Sequence, residues 1–292
     1  MRWMITDSGL GGLSVCAGLE QALLERGLGQ GIELLYVNAT PDDRSGYNAL
    51  STQAERIALF DRFLKAAYSR YSPDEIAIAC NTLSVIYPET DFFRHTSIGV
   101  KGIVEAGVTL IDSNMDQNPD HKLIVFATET TTEAGTYPRL IHADASATSA
   151  QECPELAHAI SNDASGQACK TLLRGYVDEA LQRFEQKPRD VFAFLGCTHY
   201  GYQTEVFKTL LDDQGCNCKI LNPNDLLVEQ LIPKNQQDHA VDEIPLRIKF
   251  VSRYTIPQVE IDSMGAYLKD TAPLTLSALH NQIVVPELFN RK

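Results

Sequence analysis

The sequence predicts an α/β fold with mainly parallel sheets, and three observations lead to that class. Short apolar runs alternate with amphipathic segments, which is typical of strand–helix units whose sheets are covered on both faces. The chain of 292 residues is long enough for two compact domains. A faint internal symmetry relates Ile76–Thr82 (IAIACNT) to Ala193–His199 (AFLGCTH), which suits two related half-domains.

The apolar runs predict buried strands because they are short and lie between polar segments. These runs are Trp3–Thr6, Glu33–Val37, Glu75–Ala79, Lys122–Ala127 and Val191–Leu195. Apolar residues at helical spacing predict helices over Ile57–Tyr71 and Cys169–Phe184, and polar stretches predict loops at Asp112–Lys122 and Lys234–Asp242. Right-handed crossovers place the carboxyl ends of parallel strands at one edge of a sheet, where ligands usually bind.

Charge and composition exclude several classes of partner. The net charge of −13 argues against binding to nucleic acid or to an anionic membrane by charge. The first residues lack the apolar core of a secretory signal, and no segment reaches the roughly 18 apolar residues of a membrane span. The seven cysteines, an odd number in a large chain, are expected to be reduced thiols. We therefore expect a cytoplasmic protein.

Two cysteines stand in matching places. Cys80 and Cys197 each follow an apolar strand and precede polar residues that favour a helix start. A thiol there lies near free backbone N–H groups, which lower its pKa from about 8.5 toward neutrality. Such a thiol both accepts and donates protons. One cysteine alone is more often a small buried apolar residue, but two in the same context favour acid/base chemistry.

A glycine-rich loop, Asp7–Gly12 (DSGLGG), follows the first strand. Its glycines permit a tight turn and a close approach of backbone to ligand, whereas the spacing does not fit a dinucleotide fingerprint. Asp7 has two interpretations that remain open at this stage. It caps the following helix, or it tunes or relays a proton to a nearby thiol.

Further polar residues follow other predicted strands. Thr128–Thr132 offers hydroxyls and amides for a carboxylate, although the same pattern begins ordinary helices. His199, beside Cys197, is a general acid/base or orients a substrate. Cys216 and Cys218 have no second pair at zinc spacing, so we predict no metal site. No nucleotide-binding P-loop, metalloprotease or serine-hydrolase motif occurs in the sequence.

Several separate motifs, in order, resemble the glutamate racemases of the aspartate/glutamate racemase superfamily. The motifs are DSGLGGLSV at Asp7–Val15, ACNTLS at Ala79–Ser84, ATETT at Ala127–Thr131 followed by Tyr137, ECP at Glu152–Pro154 and LGCTHY at Leu195–Tyr200. The resemblance implies two similar α/β domains with the active site in the cleft between them. It implies a first domain of residues 1–100 plus 220–292, carrying Cys80, and a second of residues 101–219, carrying Cys197.

The resemblance also implies a reaction. One thiolate removes the α-proton of an acidic amino acid, and the opposite thiol reprotonates the other face without any cofactor. Asp7 then assists Cys80, and His199 assists Cys197. The residues expected to bind the substrate are Ser8, Ser45, Gly46, Asn81, Thr82, Thr131 and Thr198. The resemblance further implies a part in supplying D-glutamate for peptidoglycan and is compatible with a homodimer.

The sequence departs from the racemase pattern at two places. Arg44-Ser45-Gly46 stands where the family has Pro-Tyr-Gly, with Tyr47 following, and Ser161 stands where a glutamate often supports the second cysteine. These changes affect the expected side-chain pocket and leave the cysteines in place. The alternatives are another superfamily enzyme, acting on aspartate or a different carboxylate, and a non-catalytic ligand-binding homologue. A thiol redox sensor is disfavoured because no Cys-x-x-Cys motif occurs.

Overall fold

The computed structural model describes residues 1–42, 46–233 and 244–290, which form two parallel sheets flanked by helices. Ser45 and the predicted loop Lys234–Asp242 lie outside these residues. The first sheet has the strand order β10-β9-β2-β1-β3-β4 and the second β6-β5-β7-β8, with all neighbours parallel. The predicted fold class is confirmed.

The strands of the first sheet are β1 (Arg2–Asp7), β2 (Glu33–Asn38), β3 (Glu75–Ile78), β4 (Gly99–Gly102), β9 (Arg247–Ser252) and β10 (Ile283–Val284). Those of the second are β5 (Lys122–Ala127), β6 (Thr148–Glu152), β7 (Asp190–Gly196) and β8 (Asn217–Leu221). All five predicted strands are therefore confirmed within two residues at either end. We retain the predicted domain bounds as a proposal.

The helices of the described residues are α1 (Leu13–Glu25), α2 (Gln53–Tyr71), α3 (Asn81–Ile86), α4 (Asp91–His95), α5 (Ile103–Gln117), α6 (Glu129–Glu133), α7 (Thr136–Leu140), α8 (Leu156–Asp163), α9 (Gln167–Gln182), α10 (Thr204–Asp213), α11 (Pro223–Leu231), α12 (Gln258–Leu268) and α13 (Pro273–His280). Short 3₁₀ turns occupy Tyr47–Ala49, Tyr87–Glu89, Ala145–Ala147 and Thr198–Gln203. The predicted helices correspond to α2 and α9. No helix within the described ranges is long and apolar enough to span a bilayer.

Helix α2 shows how local sequence sets these elements. Thr52 and Glu55 form a reciprocal capping box at its start, which satisfies backbone N–H groups that have no partner within the helix. Ser72 ends the helix in the left-handed conformation, at φ 44°. Between them, Phe60 and Phe63 belong to the face buried against the first sheet.

Alternation along β1 divides the core of the first sheet into two layers. Trp3 and Ile5 pack in the layer beneath α1, and Met4 packs in the layer beneath α2. The first of these layers continues into the second sheet through Ile124 and Leu195. The continuous core fixes the carboxyl-terminal loops of β1, β3, β5 and β7 around one cavity, which these loops line.

Candidate functional site

The cavity between the two sheets has a volume of about 610 Å³. Its lining includes nine of the residues predicted from the sequence, namely Asp7, Ser8, Gly46, Cys80, Asn81, Thr82, Cys197, Thr198 and His199. Thr131 does not line it, because its hydroxyl lies behind that of Thr128, with the two oxygens 3.1 Å apart. The structure therefore gathers residues that are far apart in the sequence at one place.

Cys80 lies between β3 and α3, and its side chain is nearly buried. Its Sγ is 3.1 Å from Ser8 Oγ, and the backbone N–H groups of Ser8 and Leu83 also point at the sulfur. Burial nevertheless raises the pKa of Cys80 to about 12, with the negative charge of Asp7 adding to the effect. The predicted lowering of this pKa is wrong, because desolvation outweighs the few donors.

Cys197 lies between β7 and the 3₁₀ turn Thr198–Gln203, so the α-helix predicted to start there begins only at α10. Burial raises the pKa of the Cys197 thiol well above its usual range, and the charges of Cys80 and Asp7 raise it further. The prediction of a lowered pKa is wrong here for the same reason. Both thiols are therefore protonated at neutral pH.

His199 lies against Cys197, with Nδ1 3.8 Å from Sγ. Burial, and then the charge of His158, lower the pKa of His199 to about 4, so the ring is neutral at pH 7. Its Nε2 is buried and has no hydrogen-bond partner within the described chain. A neutral imidazole beside the sulfur can donate a hydrogen bond or accept a proton, according to its tautomer.

Asp7 connects the loops of the two sheets. Its Oδ2 accepts a hydrogen bond of 2.8 Å from Thr198 Oγ1, and the carboxylate also accepts backbone N–H groups of Ser8, Gly9 and Gly12. Burial still raises the pKa of Asp7 to about 6 despite these bonds. Gly12 is the cap position of α1 and has no side-chain hydrogen bond. Asp7 is therefore not itself the cap residue, although its carboxylate accepts the Gly12 N–H at the start of α1, so both interpretations of Asp7 stay open.

The glycine-rich loop packs against the loop of the opposite sheet. A Cβ built at Gly11 would lie 2.5 Å from His199 Nδ1 and 2.7 Å from the His199 backbone nitrogen. A Cβ at Gly12 would lie 2.7 Å from Asp7 Cβ. These glycines are needed for contact within the site, in addition to the ligand approach that the sequence suggested.

Hydroxyl and amide groups line the wall between the two cysteines. Tyr137 donates a 2.5 Å hydrogen bond to Asn81 Oδ1, which leaves Asn81 Nδ2 without a partner among the described residues. Thr82 Oγ1 is 3.0 Å from Thr128 Oγ1, so the two sheets also meet here. Because Tyr137 occupies the amide oxygen, the Asn81 NH₂ group remains available to an acceptor.

Other residues line the cavity beside those predicted to bind. Thr128, Tyr47 and Ser161 belong to the polar stretch and to the two departures that the sequence showed, and His158 from α8 also lines the cavity. Glu260 from α12 was not predicted, because it carries no local sequence signal and the packing of α12 against α8 brings it to the site.

The lining contains carboxylate side chains and histidines. No lysine or arginine occurs among the described lining residues, whereas the carboxylates are Asp7, Asp42, Glu129, Glu155 and Glu260. The donors that these described lining residues offer are hydroxyls, amides and backbone N–H groups. No cluster of His, Cys, Asp and Glu suited to a metal ion occurs in residues 1–42, 46–233 and 244–290.

The fold is similar to those of bacterial glutamate racemases of known structure. Over 92% of this chain, an isoform from Bacillus anthracis superimposes with a TM-score of 0.71 at 17% identity, covering 94% of that chain. The enzyme from Francisella tularensis, solved with D-glutamate, gives 0.69 at 22% identity over 92% of this chain and 94% of its own. That from Campylobacter jejuni gives 0.68 at 20% identity over 92% and 99%.

No protein-family model matches the chain, and no curated protein is significantly similar to it in sequence. At identities of 17–22%, the structural likeness establishes the fold. The activity has to be argued from the site.

Proposed function

We propose that this protein racemises glutamate without a cofactor, using Cys80 and Cys197 as its two acid/base groups. One observation carries the proposal. The two thiols reach a single cavity, each from the carboxyl end of an interior strand of a different sheet. The likeness to glutamate racemases, one of them solved with D-glutamate, supports the choice of substrate.

An amino acid held between two thiols offers one face of its α-carbon to each. The thiolate of one cysteine accepts the α-proton while the other cysteine, as a thiol, gives its proton to the opposite face. The configuration is inverted, and the two cysteines exchange protonation states. The reverse reaction begins from that exchanged state, so no external oxidant, reductant or cofactor is required.

The polar wall provides the donors that an acidic substrate needs. Asn81 Nδ2 and the hydroxyl of Thr82 would hold the carboxylates, and Ser8 Oγ and the unpartnered Asp7 Oδ1 would accept from the ammonium, whereas the Thr198 hydroxyl is committed to Asp7 Oδ2. Donors aimed at the α-carboxylate stabilise the negative charge that develops as the proton leaves. Closure around the substrate would exclude water and strengthen these interactions.

The raised thiol pKa values set the main energetic problem of this mechanism. With a pKa of about 12, only about one Cys80 in 10⁵ is a thiolate at pH 7. The ammonium group of a bound amino acid brings a positive charge into the cavity, and a nearby positive charge lowers a thiol pKa. An ammonium held next to the sulfur would therefore favour the thiolate, and the thiol proton would pass to Asp7 on the Cys80 side or to His199 on the Cys197 side, while the resting thiols would stay unreactive.

The test is α-proton exchange in D₂O with the L and D enantiomers of glutamate and of aspartate, followed by NMR and circular dichroism. We expect the α-proton signal and the optical activity of glutamate to disappear together. Exchange on aspartate alone would change the assigned substrate from glutamate to aspartate and leave the two-thiol mechanism intact. Exchange on none of the four would contradict the proposal and favour a ligand-binding homologue.

A further inference from the structure

Tyr47 has a fixed ring at the wall of the cavity. It follows Gly46 in a 3₁₀ turn, its side chain is 1% exposed, and it is among the lining residues. The ring packs edge-on against Phe60, with centroids 6.2 Å apart, and its backbone carbonyl accepts a 3.1 Å hydrogen bond from Arg56 Nε. Packing and backbone contacts therefore hold the ring in place.

The hydroxyl of Tyr47 is buried and has no hydrogen-bond partner in the part of the chain that the structure describes. A buried hydroxyl is normally paired, because desolvation without a partner is costly. Because Tyr47 lines the cavity, its unpaired hydroxyl is a donor available to a group that becomes charged there.

The group to consider is the thiolate that forms at Cys80. Burial raises the pKa of Tyr47 well above 10, and negative charge on Cys80 raises it further, whereas Arg62 acts in the opposite direction. Tyr47 thus keeps its proton at physiological pH and can act as a donor. Cys80 lines the same cavity as Tyr47 and belongs to the same packed cluster, and its thiol changes charge during the proposed proton transfer.

The surroundings of Cys80 favour an additional donor. Its sulfur has Ser8 Oγ at 3.1 Å and two backbone N–H groups, whereas burial and the charge of Asp7 disfavour a thiolate. Tyr36 also lies within electrostatic range of Cys80, but its hydroxyl already donates to Gly9 O at 2.6 Å. Tyr47 is therefore the tyrosine on this side with a free hydroxyl.

We propose that the Tyr47 hydroxyl donates a hydrogen bond to the Cys80 thiolate when that thiolate forms. The thiol then needs less free energy to lose its proton, and the hydroxyl gains the partner it lacks in the resting state. The effect on catalysis rests on the proposed racemase function. The effect on the acidity of Cys80 does not rest on that function, because the hydrogen bond stabilises the thiolate however the thiol loses its proton.

The test is the pH dependence of Cys80 alkylation by iodoacetamide in Tyr47→Phe, with each cysteine peptide quantified by mass spectrometry. The matched control is Tyr71→Phe, because the Tyr71 hydroxyl is also shielded from solvent and its ring packs against the same apolar cluster, but Tyr71 is not a lining residue. We expect Tyr47→Phe to slow Cys80 alkylation at pH 8 by about tenfold, since a hydrogen bond to a charged group is among the stronger kinds. Cys197 should react as before.

A normal rate at Cys80 in Tyr47→Phe would overturn the proposal, and so would an equal loss in Tyr71→Phe. If Tyr47→Phe does not fold, 3-fluorotyrosine at position 47 keeps the shape and strengthens the donor. Cys80 alkylation should then become faster, and an unchanged rate would contradict the proposal. If the wild type also exchanges the α-proton of glutamate, Tyr47→Phe should lower kcat and leave KM unchanged. If the wild type does not exchange the α-proton, that result contradicts the proposed racemase function and does not bear on the hydrogen bond from Tyr47 to Cys80.

Discussion

Thr198 Oγ1 donates a 2.8 Å hydrogen bond to Asp7 Oδ2, and this bond joins the end of β1 in one sheet to the loop after β7 in the other. The two residues are 191 positions apart in sequence. The bond holds the loops that carry Ser8 and Cys197 at a fixed separation. A buried carboxylate therefore lies where the two halves of the proposed active site meet.

The raised pKa of Asp7 predicts a specific dependence of stability on pH. Its pKa is about 6 in the folded chain against 3.8 for the unperturbed group, so folding binds a proton at pH values between them. Stability from this group is present at low pH and is lost as pH rises from about 4 to about 7. The expected loss of unfolding free energy is about 3 kcal/mol, because each unit between the folded and unfolded pKa corresponds to about 1.4 kcal/mol.

The measurement is chemical denaturation of the wild type and Asp7→Asn between pH 4 and 7. Since asparagine does not titrate, the difference between the two unfolding free energies isolates Asp7. As pH rises, the unfolding free energy of the wild type should fall relative to that of Asp7→Asn. A difference that is constant across the range would show that Asp7 titrates normally.

Replacing either reacting thiol should abolish racemisation. Cys80→Ser and Cys197→Ser should each lower racemisation of glutamate in both directions by about 10²–10⁴, the usual contribution of a positioned acid or base. The control is Cys216→Ser, because Cys216 lies outside the cavity and its Sγ donates to Pro188 O at 3.3 Å, a bond that a hydroxyl can replace. Normal turnover in either cavity variant would contradict the two-thiol mechanism.

The bond from Tyr137 to Asn81 predicts an effect on substrate affinity. Tyr137→Phe keeps the ring against Phe194, where the centroids are 4.6 Å apart, and removes the hydroxyl that occupies Asn81 Oδ1. The amide then loses its fixed orientation, so we expect KM for glutamate to rise about tenfold with a smaller fall in kcat. A loss confined to kcat would assign Asn81 to transition-state stabilisation instead.

A tether far from the cavity should affect stability alone. Glu20, buried in α1, accepts hydrogen bonds from the backbone N–H groups of Leu274 and Thr275 and from Thr275 Oγ1, at 2.7–2.9 Å. Glu20→Gln should cost about 2 kcal/mol of unfolding free energy, because an amide offers one acceptor oxygen in place of two. Exposed Glu25→Gln on the same helix is the control. Hydrogen exchange should show α13 opening more readily only in the Glu20 variant.

The sequence predicted the elements whose signals are local. Apolar runs identify β1, β2, β3, β5 and β7, because buried parallel strands are apolar on both faces. The five strands it missed are very short or carry polar residues within the run: β4 reads GVKG, β6 TSAQE, β8 NCKIL and β9 RIKFVS, and β10 has two residues. Their pairing depends on neighbours that the local pattern does not contain.

The same distinction holds within the site. Cys80 and Cys197 were identified because each follows a strong strand signal, and the cavity brings them together. Their acidity was predicted in the wrong direction, because burial depends on the whole fold while the donors next to them are local. Glu260 was missed for a related reason, since α12 reaches the cavity only through packing against α8.

Gly11 provides the sharpest test of contact between the two loops. A Cβ there would lie 2.5 Å from His199 Nδ1 and 2.7 Å from its backbone nitrogen, so Gly11→Ala must push the loop carrying Cys197 away. We expect a loss of about 1–3 kcal/mol in unfolding free energy. Racemisation should fall by about 10²-fold, since a displacement of about 1 Å at a reacting group has that effect.

The control for Gly11→Ala is a glycine with free space around it. Gly175 lies inside α9, and no atom lies within 4 Å of a Cβ built there. Gly175→Ala should raise the unfolding free energy by about 0.5–1 kcal/mol, because alanine favours helix. Racemisation should stay unchanged. If Gly11→Ala behaved like Gly175→Ala, the loops would be free to separate without cost, and the fixed spacing of the two cysteines would not depend on this contact.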